Sequence, residues 1–286
     1  MSRPVISRIW RQQHPCRVHV TKVAVLVFIL APLHAGSATL IVTSGGAAAD
    51  EIFLRAIGGT GAGVVFIPTA ASSLRSESGI IWNPDEQRNR EKFEGELLKR
   101  FGLTRITILH TRDRHVANTE QFVLPLRQAR AVWISGGNAG RLAAAYLGTR
   151  TEKELKAVLA RGGVIAGESA GAIILGSYTV RGNPQKPVLM ARGSEQGFGM
   201  LKDVAINPHL TSAKRETELV TVVDRYPRLL GLGIDDDTGL LVSDGVAEVF
   251  GRGRVAIYDN RKHNGMWYYW LNPGERFDVR ARLPVK

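Results

Sequence analysis

The sequence predicts an α/β domain built on a doubly wound, mostly parallel sheet of the flavodoxin-like kind. Short apolar runs alternate with amphipathic stretches from residue 39 to about residue 230. Those runs are apolar at successive positions rather than alternate ones, as in strands covered on both faces. The fifth run, Val164-Ile165-Ala166, leads into Gly167-Glu168-Ser169-Ala170-Gly171 and then into small helix-forming residues. A buried strand that breaks at Gly-x-Ser-x-Gly and continues as a helix has the form of a nucleophile elbow.

Taken in order, Thr39-Leu40-Ile41-Val42-Thr43 is a strand that stops at Gly45-Gly46, with a helix expected over 48–57. The glycines at 58, 59, 61 and 63 come before the next strand, 63–68. A dinucleotide loop must follow a strand, so they read as a connection. A Glu- and Lys-rich helix over 88–101 leads to a third strand, 105–109, and to a helix near 119–129. Residues 131–135 make the fourth strand, with helices over 138–147 and 151–161 before the elbow strand. Beyond residue 230 the apolar runs 231–242, 246–251 and 254–258 are closely spaced, which predicts a C-terminal antiparallel extension. Trp267-Tyr268-Tyr269-Trp270 reads as an edge strand with one packed face.

Residues 1–38 stand apart. Lys22 precedes the apolar run Val23 to Leu33, and small residues follow through Ala38. A positive start, an apolar core and a small-residue exit make a signal peptide. The expected location is therefore secreted or periplasmic, with membrane attachment only through an uncleaved N-terminus. Residues 39–286 contain no linker or low-complexity tract and read as one domain. Setting aside Arg3, Arg8, Arg11, Arg17 and Lys22 lowers the formal charge from +12 to +7. No Lys/Arg block is interleaved with aromatics, so nucleic acid is not an expected partner. The single cysteine, Cys16, falls in the leading segment. The remaining chain therefore has no disulfide, thiolate metal site or cysteine nucleophile. No metal-ligand constellation is visible, and no cofactor is expected.

Gly167 and Gly171 allow the sharp turn that leaves the Ser169 hydroxyl above the sheet, while the Ala170 amide lies at a helix N-terminus suited to an oxyanion. A serine needs a base. Four histidines lie beyond residue 38: His110, His115, His209 and His263. His209 ends Val204-Ala205-Ile206-Asn207-Pro208, just before a helix expected from near Thr211, and strand ends are where sites form in such sheets. The third group must orient the imidazole and stabilise its cation. Asp235, Asp236 and Asp237 sit between apolar runs, so at least one should turn inward and need a partner. The sequence leaves open which of the three faces His209. The order Ser…His…Asp differs from the Ser…Asp/Glu…His of α/β-hydrolases, which argues against a lipase or esterase of that fold.

Four segments in this order carry a resemblance: Val65-Phe66-Ile67-Pro68-Thr69-Ala70-Ala71-Ser72, Ile134-Ser135-Gly136-Gly137-Asn138, Gly167-Glu168-Ser169-Ala170-Gly171-Ala172, and Leu232-Gly233-Ile234-Asp235-Asp236. Together the chain resembles the cyanophycinase/dipeptidase E family of serine peptidases over about residues 39–280. The resemblance implies a class I glutamine amidotransferase-like fold with serine at the elbow, and cleavage beside aspartyl residues. It implies Ser169 as nucleophile, His209 as base and Asp236 as the orienting acid. Gly136 or Gly137, with Ala170, would supply the oxyanion amides. Asn138, Glu168, Asn207 and Arg215 fall at positions expected to meet substrate.

Departures from the family pattern concern the substrate. Cyanophycinases usually have Gly-Gly-Asp-Gln at Gly136-Gly137-Asn138-Ala139 and Asp-Gln-His-Phe at Asn207-Pro208-His209-Leu210. Their arginine-rich run is kept only as Lys214 and Arg215. Loss of those groups should weaken the grip on β-Asp-Arg, whereas Glu168 is expected to favour a cationic group. The sequence thus points to a secreted serine peptidase acting on aspartyl-containing peptides. Its alternatives are an amidase or esterase on the same triad and a catalytically silent ligand-binding homologue.

Overall fold

Successive strand residues point to opposite faces, so an uninterrupted apolar strand needs a core on each side. This chain builds both. The computed structural model describes residues 37–285. The segment expected to be a signal peptide therefore lies, apart from its last two residues, outside the described residues.

The chain runs β1 (Thr39–Thr43), α1 (Ala47–Ile57), β2 (Val64–Ile67), a hairpin of β3 (Leu74–Arg75) and β4 (Ile81–Trp82), then α2 (Arg90–Phe101) and β5 (Ile106–Ile108). Next come α3 (Arg114–Ala117), α4 (Glu120–Gln128), β6 (Ala131–Ile134), α5 (Ala139–Tyr146), α6 (Arg150–Ala160) and β7 (Val164–Glu168). They are followed by α7 (Ala170–Leu175), β8 (Gly176–Tyr178), β9 (Leu201–Pro208), α8 (Glu218–Arg225) and β10 (Leu230–Ile234). The chain closes with β11 (Thr238–Ser243), β12 (Val246–Gly251), β13 (Val255–Tyr258), β14 (Tyr269–Leu271), β15 (Arg276–Asp278) and β16 (Leu283–Val285).

The large sheet has the order β16-β15-β12-β11-β1-β7-β6-β2-β5. Its half from β1 to β5 is parallel, and the half from β11 to β16 is antiparallel. On one face Phe66, Trp133 and Ala166 meet α1 and α2 through Phe53, Leu97 and Phe101. On the other, Val65, Val132, Ile134 and Ile165 meet the helices that follow through Leu126, Leu142, Leu155 and Ile174. Trp133 is the centre of the first core, with the rings of Phe53 and Phe101 at 5.1 Å and 4.9 Å.

The C-terminal part departs from a simple extension. Residues 231–242 are not one strand but two, and they belong to different sheets. β10 pairs in parallel with β9 in a second sheet of order β14-β13-β10-β9-β8, whereas β11 joins β1 in the large sheet. Polar Asp235, Asp236 and Asp237 mark the crossing. The helix expected from Thr211 begins only at Glu218; the intervening residues form turns in which the Ala213 amide donates to the His209 carbonyl. Of the aromatic cluster only Tyr269 and Trp270 enter an edge strand, β14 of the second sheet. Tyr268, just before it, lies 5.0 Å from the tilted Tyr258 ring, and Arg254 is 4.2 Å from the Trp270 ring. Among the described residues no helix is long and apolar enough to cross a membrane.

Truncating Phe53, fully buried against Trp133, leaves a cavity that the rigid sheet cannot fill. Phe53→Ala should lower the unfolding free energy by about 3–5 kcal/mol. Urea denaturation followed by tryptophan fluorescence reads this directly. A loss below about 1 kcal/mol would mean that the aromatic cluster does not carry this core.

Candidate active site

The elbow depends on backbone approaching backbone. A Cβ on Gly167 would overlap the Gly171 carbonyl, and one on Gly171 would overlap the Ile134 carbonyl. Glycine at both positions lets α7 lie directly on β6 and β7. The turn between them holds Ser169 at φ 53° and ψ −109°, a conformation that side-chain-bearing residues avoid. It is held from both sides. The Ser169 amide donates to the Thr43 carbonyl at 2.8 Å, and its carbonyl accepts from the amides of Ala172 and Ile173 at 2.9 Å and 3.0 Å.

Gly136 stands beside the serine: a Cβ built there would lie 3.2 Å from Ser169 Cβ and 3.7 Å from Oγ. Gly137, at φ 136°, is folded against the backbone of Ala70 and Ala71, where no side chain fits. The Asn138 amide fixes that turn by donating to the Ala70 carbonyl at 2.9 Å. The structure therefore brings Gly136, Gly137 and Ala170 to the loop ends around the hydroxyl.

His209 arrives from the second sheet. It follows β9, while the acidic triplet follows β10, and the two strands are parallel with Ile234 opposite Pro208. Both chain exits therefore emerge at the same edge. His209 Nε2 lies 2.9 Å from Ser169 Oγ, and Nδ1 lies 2.5 Å from Asp236 Oδ1. Asp235 is occupied elsewhere: it accepts from the Thr211 hydroxyl at 2.9 Å and the Arg254 amide at 3.2 Å. Asp237 pairs with Arg252. The middle carboxylate alone of the triplet meets the imidazole. A hydrogen bond from the Ser212 hydroxyl, and then one from His209, hold the Asp236 carboxyl below the usual carboxylate range. This line of serine, imidazole and carboxylate can take a proton from the hydroxyl and stabilise the resulting cation.

The residues expected to meet substrate have other partners. Asn138 caps α5, accepting from the Gly140 amide at 2.8 Å and donating to the Pro184 carbonyl at 3.2 Å. Asn207 is fully buried, accepting from Arg181 at 3.0 Å and donating to Glu218 at 2.8 Å, with Arg181 also paired to Glu218. Its amide is thus fully taken up within the protein. Glu168 does not offer a free carboxylate. It accepts from the Trp133 indole at 3.1 Å, lies 3.6 Å from Arg100, and faces a cavity of about 920 Å³ between α1, α2 and the β3–β4 hairpin. Arg215 donates to the Pro208 carbonyl at 3.2 Å and is placed near both Arg181 and Asp236.

The other histidines serve elsewhere. His110 bonds Thr69 at 2.9 Å and Asp85 at 3.0 Å, and burial depresses its imidazole. His263 bonds Asp259 at 2.8 Å, and His115 lies exposed in α3. Among the described residues no group of three or more His, Cys, Asp or Glu side chains is arranged to hold a metal ion.

Residues 33–250 match the model of Peptidase family S51. The chain belongs to peptidase family S51. It is 28% identical over 240 residues to a cyanophycinase of Synechococcus elongatus, covering 80% of this chain and 70% of that protein. It is 29% identical over 231 residues to a cyanophycinase of Nostoc sp., covering 72% of this chain and 77% of that protein. A solved peptidase from an acI-B1 actinobacterium superimposes with a TM-score of 0.64 at 24% identity, covering 85% of this chain and 98% of the other. This S51 chain is accordingly a serine-type peptidase of the cyanophycinase-like group with the α/β fold of that structure.

Two supports of the acidic triplet in this S51 site were not visible as motifs, Thr211 on Asp235 and Ser212 on Asp236. Their hydroxyls reach the triplet only because the 211–214 turn folds back over it. Since the folded Asp236 carboxyl lies below its unfolded value, its contribution is complete above the ordinary carboxylate range. It is lost as pH falls through the lowered value. Ser212→Ala removes the leading cause and should move that loss to higher pH. A carboxyl carbon NMR titration of Asp236 in both proteins checks this; equal midpoints would eliminate Ser212 as the cause.

Proposed function

We propose that this S51 peptidase hydrolyses peptide or isopeptide bonds next to aspartyl residues through an acyl-enzyme, as an exopeptidase exported by its N-terminal segment. The observation supporting the chemistry is the unbroken hydrogen-bonded line from Ser169 Oγ through His209 to Asp236. In this reading Ser169 Oγ attacks the scissile carbonyl carbon while His209 Nε2 takes its proton. Negative charge builds on the carbonyl oxygen, toward the amides of Gly136 or Gly137 and Ala170. His209 then passes the proton to the departing amine as the C–N bond breaks. A water attacks the ester, gives its proton to Nε2, and the acid leaves as that proton returns to Oγ. Asp236 stays ionised throughout and holds Nδ1–H, so that Nε2 faces the serine.

The aspartyl preference comes from the cyanophycinase-like relatives and not from retained side chains. Position 139 is alanine, Asn138 is a helix cap, and Asn207 is buried, so efficient cleavage of β-Asp-Arg links is not expected.

The test is a fluorophosphonate, with the adduct located by mass spectrometry. The expected result is labelling at Ser169 that disappears in His209→Ala. With an aspartyl peptide library as substrate, Ser169→Ala and His209→Ala should each reduce kcat by about 10⁴-fold or more while the circular dichroism spectrum is retained. An unlabelled Ser169 in the folded protein would instead point to a binding protein on this fold. Turnover of esters and amides irrespective of Asp would leave the triad standing and remove the aspartyl preference.

A further inference from the structure

A second polar cavity, of about 410 Å³, opens beside the glycine loop and is lined among others by Ser72, Asn83, Asp85, Arg112, Arg141 and Gln185. A relay of neighbouring residues leads from the serine to it. Gly136 adjoins Ser169, Gly137 rests on Ala70 and Ala71, and Ser72 follows them in the chain. Arg141 lies one turn into α5 from Asn138, a rise of about 5 Å, and donates to the same Ala70 carbonyl at 3.3 Å.

The charges in this cavity are unequally satisfied. Asp85 and Arg112 neutralise each other, with Arg112 Nε at 2.7 Å and 2.9 Å from the two carboxylate oxygens. The rest of that guanidinium is committed to the carbonyls of Thr69, at 2.9 Å, and Ala71, at 2.7 Å. Asp85 also takes His110. Arg112 is therefore a structural residue, which ties the 69–71 loop, and with it the floor under Gly137, to the segment carrying Asp85. Arg141 has no acidic partner among the described residues, and its one hydrogen bond uses Nη1. Its Nε and Nη2 remain for a ligand, in a cavity whose lining includes the neutral side chains of Ser72 and Gln185, while the Asn83 amide is given to Glu86. A partly buried guanidinium with a free edge suits a planar carboxylate, which takes two parallel hydrogen bonds from it.

We propose that this cavity is a carboxylate subsite in which Arg141 binds a substrate carboxylate one or two residues from the scissile bond. The assignment rests on the peptidase reading above and specifies the substrate further: a short peptide that carries an anion on the glycine-loop side of Ser169. The carboxylate is either the free C-terminus or an acidic side chain. Both have the same chemistry, and the experiment separates them. Such a residue would set specificity without touching the reacting atoms.

The test uses the full enzyme with Ser169→Ala, so that peptides bind without turnover, alone and combined with Arg141→Gln or Arg141→Lys. Calorimetry measures the affinity for Asp-Ala, its C-terminal amide, and Asn-Ala. Arg141→Gln should weaken Asp-Ala at least tenfold, and Arg141→Lys should weaken it less, since charge survives and the planar fork does not. If amidation abolishes the dependence on Arg141, the anion is the C-terminus; if Asn in place of Asp does so, it is the side chain. Equal affinities in all proteins, equal losses for all three peptides, or no binding of any of them up to millimolar concentration would overturn the subsite. Fluorophosphonate labelling of the unsubstituted enzyme, run in parallel, reports on the hydrolase reading alone. Labelling with no Arg141 effect on peptides removes only the subsite, and an Arg141 effect without labelling removes only the hydrolysis.

Discussion

The contact on which the site depends is the approach of α7 to the large sheet. Helix and strand backbones come closer at Gly167, Gly171 and Ile134 than a single methyl group would permit. That distance is what turns the chain between β7 and α7 within one residue and holds Ser169 in a sparsely populated conformation. Such strain persists only where the surroundings over-determine it. Here they do so through the Thr43 carbonyl, the two amides of α7, and complete burial of α7 itself. A looser elbow would relax the serine into a neighbouring basin and take its hydroxyl away from His209.

The second requirement is that two sheets meet. The nucleophile belongs to the large sheet, while the imidazole and carboxylate follow adjacent strands of the small one. Asp235, Asp236 and Asp237 are the joint between them, because β10 ends in the small sheet and β11 begins in the large one beside β1. Ser44, directly after β1, clamps this joint by donating to the Asp235 carbonyl at 2.6 Å. Since β1 also pairs with β7, one short strand sets the separation between acid and elbow. Asp235 and Asp237 then have a purpose that a reading of three solvated acids would miss. They pin the two sides of the joint through Arg254 and Arg252, so that Asp236 is left for the imidazole.

Electrostatics around the serine are divided by the sheet. On the α1/α2 side Glu168 and Asp50 share Arg100, which also lies 5.1 Å from the Trp133 ring, so the carboxylate next to the nucleophile is already compensated. On the glycine-loop side the Arg112–Asp85 pair is closed and Arg141 is not. Buried charges that are paired and hydrogen-bonded specify geometry, whereas an unpaired one at a cavity is available to a ligand. Beside the triad, then, the carboxylate of Glu168 is committed to an ion pair, whereas Arg141 at the polar cavity is not.

Much of this molecule is legible in the sequence by itself. Apolar runs without alternation, separated by amphipathic stretches of helix length, read as strands covered on both faces, and Gly-x-Ser-x-Gly between such a strand and small residues reads as an elbow, so the parallel half of the sheet and the elbow follow from local pattern. The same local logic puts His209 and the acidic triplet at strand ends, but it puts His110 there too, and it is the family resemblance that singles out His209 and Asp236. What local pattern cannot carry is the identity of neighbours. The apolar stretches on either side of Asp235-Asp236-Asp237 read as neighbouring strands of one extension, yet the chain changes sheets between them; hydropathy records burial and not against which sheet a residue is buried. Asn138, Glu168 and Asn207 stand beside catalytic positions in sequence, but Asn138 is consumed by a local cap on Gly140 and by Pro184, and Glu168 and Asn207 by an ion pair and a buried network whose partners lie far along the chain. The open edge of Arg141 is decided in the same way. A guanidinium is bound or free according to which carboxylates fold against it, and that is set by tertiary structure alone.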